Sequence, residues 1–190
     1  MNRVCRIILA GTLACACTLA LHAQEANPIT ANLKQSWTNI RDLFVKMADK
    51  MPEENYRFKP TAEIQDFGQR MAHVVTFNMR TCALLKGEQK AVTFSAAPTK
   101  AEVTAAMKQA NEECDSLFSS LNDAELMKMV NAGRGGQRMK LAVIEGTLLE
   151  HSQEVYGYTA VYLRLKGIVP PSSDRNELPG TPGRGATPGR

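Results

Sequence analysis

The stretch that decides the fold is residues 139–166, MKLAVIEGTLLEHSQEVYGYTAVYLRLK. Leu141, Ile144, Leu148, His151, Val155, Tyr158 and Tyr162 recur every three or four residues, which lines them along one face of an α-helix. Gly167 stops the pattern ahead of Pro170 and Pro171. A long helix with a single apolar stripe must bury that stripe against neighbours, so the segment predicts a helix within a bundle.

Working outward, three further segments carry the same period. Leu33, Trp37, Ile40, Phe44, Met47 and Met51 continue from Ile29 as the stripe of a first helix, with Thr30 as its expected N-cap and Pro52 as its end. The aperiodic Glu53–Pro60 (EENYRFKP) is expected to be a structured connection, with Tyr56 and Phe58 packing back onto the bundle. A second helix is predicted from about Ile64 to Leu85, with inward positions at Phe67, Met71, Val74, Asn78 and Cys82, and Lys86-Gly87 as its stop. Thr99 and Glu102 form a capping box that opens a third helix carrying Val103, Met107, Ala110, Cys114, Leu117 and Leu121. Asn122–Arg138 is irregular around Gly133-Arg134-Gly135-Gly136, and lacks the Lys-Ser/Thr ending of a phosphate-binding loop, so it is expected to be a surface connection. No alternation long enough for a sheet is present. The expected fold is therefore all-α, an antiparallel four-helix bundle.

The N-terminus predicts export. Arg3 and Arg6 precede the uncharged run Ile7–Leu21, and Leu21-His22-Ala23 offers a cleavage site, so residues 1–23 are expected to be a signal peptide. The run is about 15 residues, short of the ~20 a spanning helix needs, and no other segment is long and apolar enough. No integral membrane segment is therefore expected in the mature chain. A lipoprotein is disfavoured because neither Cys15 nor Cys17 has Leu at the expected position before it. The mature protein is expected to be periplasmic or extracellular, with a bundle over 24–173 and a disordered Pro/Gly/Arg tail over 174–190. Loss of the leader lowers 23 basic residues to 21 against 19 acidic ones, a balance too even to suggest a nucleic-acid partner. Of five cysteines, Cys82 and Cys114 alone survive cleavage. In an oxidising compartment two such cysteines are more often bridged than free, so a Cys82–Cys114 disulfide is expected over two buried thiols.

Only three histidines occur, and His22 leaves with the leader. His73 and His151 each lie beside the inward stripe of a different helix, and imidazoles on facing bundle helices are a common way to build a metal centre. No Ser-His-Asp or Cys-His spacing stands out.

Trp37, the segment Met51–Pro60 (MPEENYRFKP), Phe67-Gly68-Gln69 ahead of His73, and the ending Val161–Pro171 (VYLRLKGIVPP) together resemble the DinB/YfiT-like family. The similarity runs from about Asn32 to Ser173. It implies a four-helix bundle that holds a divalent metal (Zn, Ni, Mn or Fe) through one His of the second helix and an H-x-x-x-H pair of the last. Some members are thiol-dependent transferases or hydrolases. His73 matches the second-helix ligand and His151 the first of the pair, but the second falls at Val155, which has no donor atom. The resemblance therefore implies a degenerate metal site, without the family's full catalytic apparatus. The alternatives are a metal-dependent hydrolase or thiol-dependent transferase whose third ligand is water or a carboxylate such as Glu150 or Glu154, and a non-catalytic module. That module would bind a small molecule in the bundle cavity or pair as a homodimer.

Overall fold

The computed structural model describes residues 26–174. The expected leader lies outside them, as does the expected tail apart from Asp174. Helix α1 spans Pro28–Lys50, α2 Phe67–Leu85 and α3 Lys100–Ser120. A short α4, Asp123–Leu126, leads to a two-stranded antiparallel hairpin of β1, Met129–Asn131, and β2, Gln137–Met139. The last long helix begins as α5, Lys140–Val143, widens into a π-helical turn over Ile144–Leu149, and continues as α6, Glu150–Leu165.

Local chemistry sets these boundaries. On α1 the stripe Leu33, Trp37, Ile40, Phe44 and Met47 is buried as expected, while Ile29 stays exposed. Thr30 is not the N-cap. Pro28 opens the helix, and the free amides of its first turn go to Asp123, whose carboxylate accepts from Ile29 N at 3.3 Å, Thr30 N at 2.8 Å and Thr30 Oγ1 at 2.8 Å. Helix α2 starts three residues later than its apolar period suggests, because Asp66 caps it in a reciprocal box with Gln69. Gly87, at φ +80°, ends it where the period predicts. Thr99 and Glu102 cap α3 as expected.

The connection after α1 packs back on the bundle: Tyr56 is buried and donates to Ala48 O at 2.9 Å. The segment after α3 departs from expectation, since it forms α4 and a β-hairpin whose turn carries the glycine cluster. The final helix departs too. Ile144 and Leu149 are both buried five residues apart, and the π turn absorbs the extra residue that a straight α-helix would rotate out of the core.

The all-α bundle has four long helices around one core, with neighbours in the cyclic order α1, α3, α2, α6. Their directions are mixed rather than antiparallel throughout. Helix α1 runs against α3, since Trp37 Nε1 donates to Asp115 at 2.9 Å while Lys100, at the start of α3, donates to Asp49 O at the end of α1. Helix α2 runs against α6, since Tyr162 donates to Gln65 O while Ser152 meets Asn78. The pair α2/α3 is parallel: Cys82 and Cys114 are disulfide-bonded in their C-terminal halves, and their first turns meet where Gly68 faces Pro98 O. A Cβ at Gly68 would come within 2.5 Å of that carbonyl. The pair α1/α6 is parallel as well, with Phe44 edge-on to Tyr156 and Lys50 bridging to Asp174 beyond α6. The cause is the segment between α2 and α3. Its 14 residues can stretch about 45 Å, ample to return along a 19-residue helix of about 28 Å.

The expected Cys82–Cys114 disulfide is thus present, fully buried, and closes a loop with a sequence separation of 32. It holds the parallel pair that no short turn holds. Replacing both cysteines with alanine is expected to lower the unfolding free energy by about 2–4 kcal/mol, measured by denaturant titration. Wild-type protein unfolded under reducing conditions should show a similar loss.

Candidate functional site

The site lies where α2 and α6 face each other. The Asp66 cap sets the phase of α2, so Met71, Val74 and Asn78 point inward and His73 falls at the edge of that stripe, solvent-exposed. On α6 the buried positions are Ser152, Val155, Tyr156, Thr159, Tyr162 and Leu163, which leaves His151 half-buried at the matching edge. The two imidazoles meet: Nε2 of His73 is 3.2 Å from Nε2 of His151. Phe77, one turn beyond His73, stacks on the His151 ring at 3.8 Å between centroids. Beneath them the buried Ser152 hydroxyl donates to Asn78 Oδ1 at 3.1 Å. The sequence-predicted pair is therefore brought together.

Around the pair stand two groups that the sequence reading passed over, Arg70 and Phe77. Arg70 lies one turn before His73, with its guanidinium 5.8 Å from the centre of the Tyr158 ring. Tyr158, expected on the inner face, is instead exposed, because its hydroxyl donates to Glu154 at 2.9 Å on the solvent side of the helix. Arg70 and Phe77 sit at i−3 and i+4 from His73, so helical spacing alone marked them as its neighbours. The other tyrosines of the last helix are structural: Tyr162 is core, and the buried Tyr156 accepts from Ser172 N at 2.9 Å.

Partial desolvation where α2 meets α6 pushes the His73 pKa below its ordinary 6.5, and the Arg70 charge pushes the same way. Burial also lowers that of His151, aided by His73 and Arg70 and opposed by Glu154. Both rings are therefore held toward the neutral form, in which Nε2 carries a lone pair or one proton is shared between the rings. The Nδ1 of His151 is buried without a hydrogen-bond partner.

Two imidazole nitrogens 3.2 Å apart match the ~2.9–3.4 Å edge between adjacent ligands of an ion with bonds of ~2.0–2.1 Å. The donor set goes no further. Val155, at the expected third position, is buried with the core, and Glu154 is engaged by Tyr158. Among the described residues no group of three His, Cys, Asp or Glu is placed to hold a metal. His151 also lacks the acceptor at Nδ1 that usually orients a metal-bound imidazole. The residues thus fit two positions of a coordination shell. Two surface clefts, about 500 Å³ between α1 and α3 and about 1020 Å³ beside the hairpin, both lie away from the histidines. Cys82 and Cys114, locked in their disulfide, offer no thiol to the pair.

A family model for the DinB superfamily matches residues 34–157, which covers most of the bundle and includes both histidines. Among solved structures, a DinB-like protein from Bacillus cereus ATCC 10987 superposes with a TM-score of 0.64 at 19% identity, over 74% of this chain and 94% of that one. The DinB-like protein YjoA from Bacillus subtilis gives a TM-score of 0.59 at 18% identity, over 74% and 92%. No curated protein gives a sequence match. At these identities the structural likeness speaks to the fold.

The lowered histidine pKa values set a pH dependence. Below 6.5 the unfolded chain takes up protons that the folded pair resists, so stability should fall as pH drops from 6.5 through the folded-state pKa values, and level off above 6.5. Unfolding titrations from pH 5 to 8 on wild type and a His73→Gln/His151→Gln variant would check this. The variant's curve should be flatter below 6.5.

Proposed function

The chain belongs to the DinB superfamily, and from that premise we propose that it carries a reduced divalent-metal site, in which His73 and His151 supply two ligands and solvent the rest, without the family's full catalytic apparatus. The 3.2 Å approach of the two Nε2 atoms carries this reading. The lowered pKa values support it, because protons compete less with a metal for these nitrogens near neutral pH.

A divalent ion held there would act as a Lewis acid or lower the pKa of a bound water. The protein's own part is to keep both rings neutral, to hold the His151 ring against Phe77, and to set Arg70 nearby as a fixed positive charge. Arg70 also disfavours a second positive charge at the site, and only two protein donors offset that, so affinity should be modest. A hydrolase or thiol-dependent transferase is the less supported reading, since the expected third donor is a valine and Glu154 is engaged by Tyr158.

We also infer that the protein works outside the cytoplasm. The leader-like N-terminus and the buried disulfide support this together. Fractionation of cells expressing the full chain, with mass measurement of the mature N-terminus, tests it. An uncleaved cytoplasmic product would argue against export.

For the metal site, calorimetric titration with Zn(II) should show one weak site that His73→Ala abolishes. Val155→His should tighten it by at least about tenfold by adding a ligand one turn from His151. Absence of Zn(II) binding to folded wild-type protein would overturn the reading.

A further inference from the structure

Methionine is distributed in this chain by place. Of the eight methionines among the described residues, Met47, Met51, Met71, Met79 and Met107 are core, none more than 6% exposed. Met127, Met129 and Met139 are 45%, 57% and 42% exposed, and all three lie on the hairpin or in the turn that leads into it. They contribute little to folding where they stand, because much of each side chain remains in water.

The hairpin register brings two of them close. Met129 pairs with Met139, Val130 with Arg138 and Asn131 with Gln137. Backbone bonds from Lys140 N to Lys128 O and from Ala132 N to Gly136 O mark the hydrogen-bonded positions, which alternate along the ladder. Met129 and Met139 therefore form a non-hydrogen-bonded pair, the kind in which facing side chains approach most closely, with Cα atoms about 4.5 Å apart. Both point to the outer face. The inner face carries Val130, packed on the core, and Arg138, which donates to Thr147 Oγ1 and Ala142 O. Met127 stands two residues before Met129 and is exposed beside the buried Leu126.

We propose that Met127, Met129 and Met139 form a thioether site for a soft monovalent metal, Cu(I). Thioether sulfur is a soft, uncharged donor that favours Cu(I) over harder divalent ions. The surrounding charge favours the smaller ionic charge too: Lys128 and Lys140 stand next to the pair in sequence, and a single carboxylate among the described residues, Glu125, bridges to both. Uncharged ligands beside a net positive surface oppose a divalent ion more than a monovalent one. The site is separate from the histidine pair, whose nitrogen donors suit borderline divalent ions.

The test uses anaerobic Cu(I) titration against a chromophoric Cu(I) chelator, in a His73→Ala/His151→Ala background that removes imidazole binding. One equivalent of Cu(I) should bind, with copper–sulfur scattering in its X-ray absorption spectrum. Met129→Leu/Met139→Leu should weaken binding by at least about tenfold while circular dichroism stays unchanged, since leucine conserves size and apolarity at exposed positions. Met127→Leu should weaken it as well. Equal Cu(I) binding with and without Met129 and Met139 would overturn the proposal. An unaffected Met127→Leu would overturn the three-donor set.

Discussion

A buried hydrogen bond between two neutral side chains governs how the site half of this bundle can close. Asn78 on α2 and Ser152 on α6 are both withdrawn from water, and their contact at 3.1 Å satisfies groups that would otherwise cost about 1–3 kcal/mol each to bury. Apolar packing alone would tolerate a slide of one helix along the other, whereas this pair is made in one register only. At the far end Tyr162 reaches Gln65 O, so the two helices are pinned near both ends of their contact. The meeting of His73 and His151 follows from that register.

The other half of the bundle is governed by covalent closure. Because the chain crosses back along the bundle after α2, the adjacent helices α2 and α3 run parallel without a turn to join them, and the Cys82–Cys114 disulfide ties them directly. The helices thus have fixed partners on both sides of α2. His73 is carried on the most constrained element of the fold, at the edge where that element meets solvent. A site there is pre-positioned yet open, which suits two imidazoles that share a ligand with water.

Val155, where the family resemblance implied a third ligand, packs into the core. It stands one turn from His151, with Thr159 one turn beyond, and both are buried. A histidine there would face the cost of burying a polar ring, offset only when an ion or a hydrogen bond holds it. Valine exchanges that conditional stability for packing that needs no ligand. What remains is a pair of neutral rings, with Arg70 close enough to discourage a second positive charge.

The sequence by itself determined the helices, because burying one face of a helix on every turn writes a 3.6-residue period into the chain. The α1 stripe, the Thr99–Glu102 cap, the Lys86-Gly87 stop and the inward edge positions of His73 and His151 were all legible in that way. The place of Val155 one turn from His151 was legible too, since i, i+4 spacing depends on one helix alone. What depends on distant partners was not legible. Asp123 replaces Thr30 at the head of α1 from more than ninety positions away. The crossover sets the helix directions, the π turn rephases the last helix, and the hairpin register brings Met129 to Met139. The 3.2 Å between the imidazoles belongs with these, because periodicity fixes which face a side chain occupies, and only packing decides what that face meets.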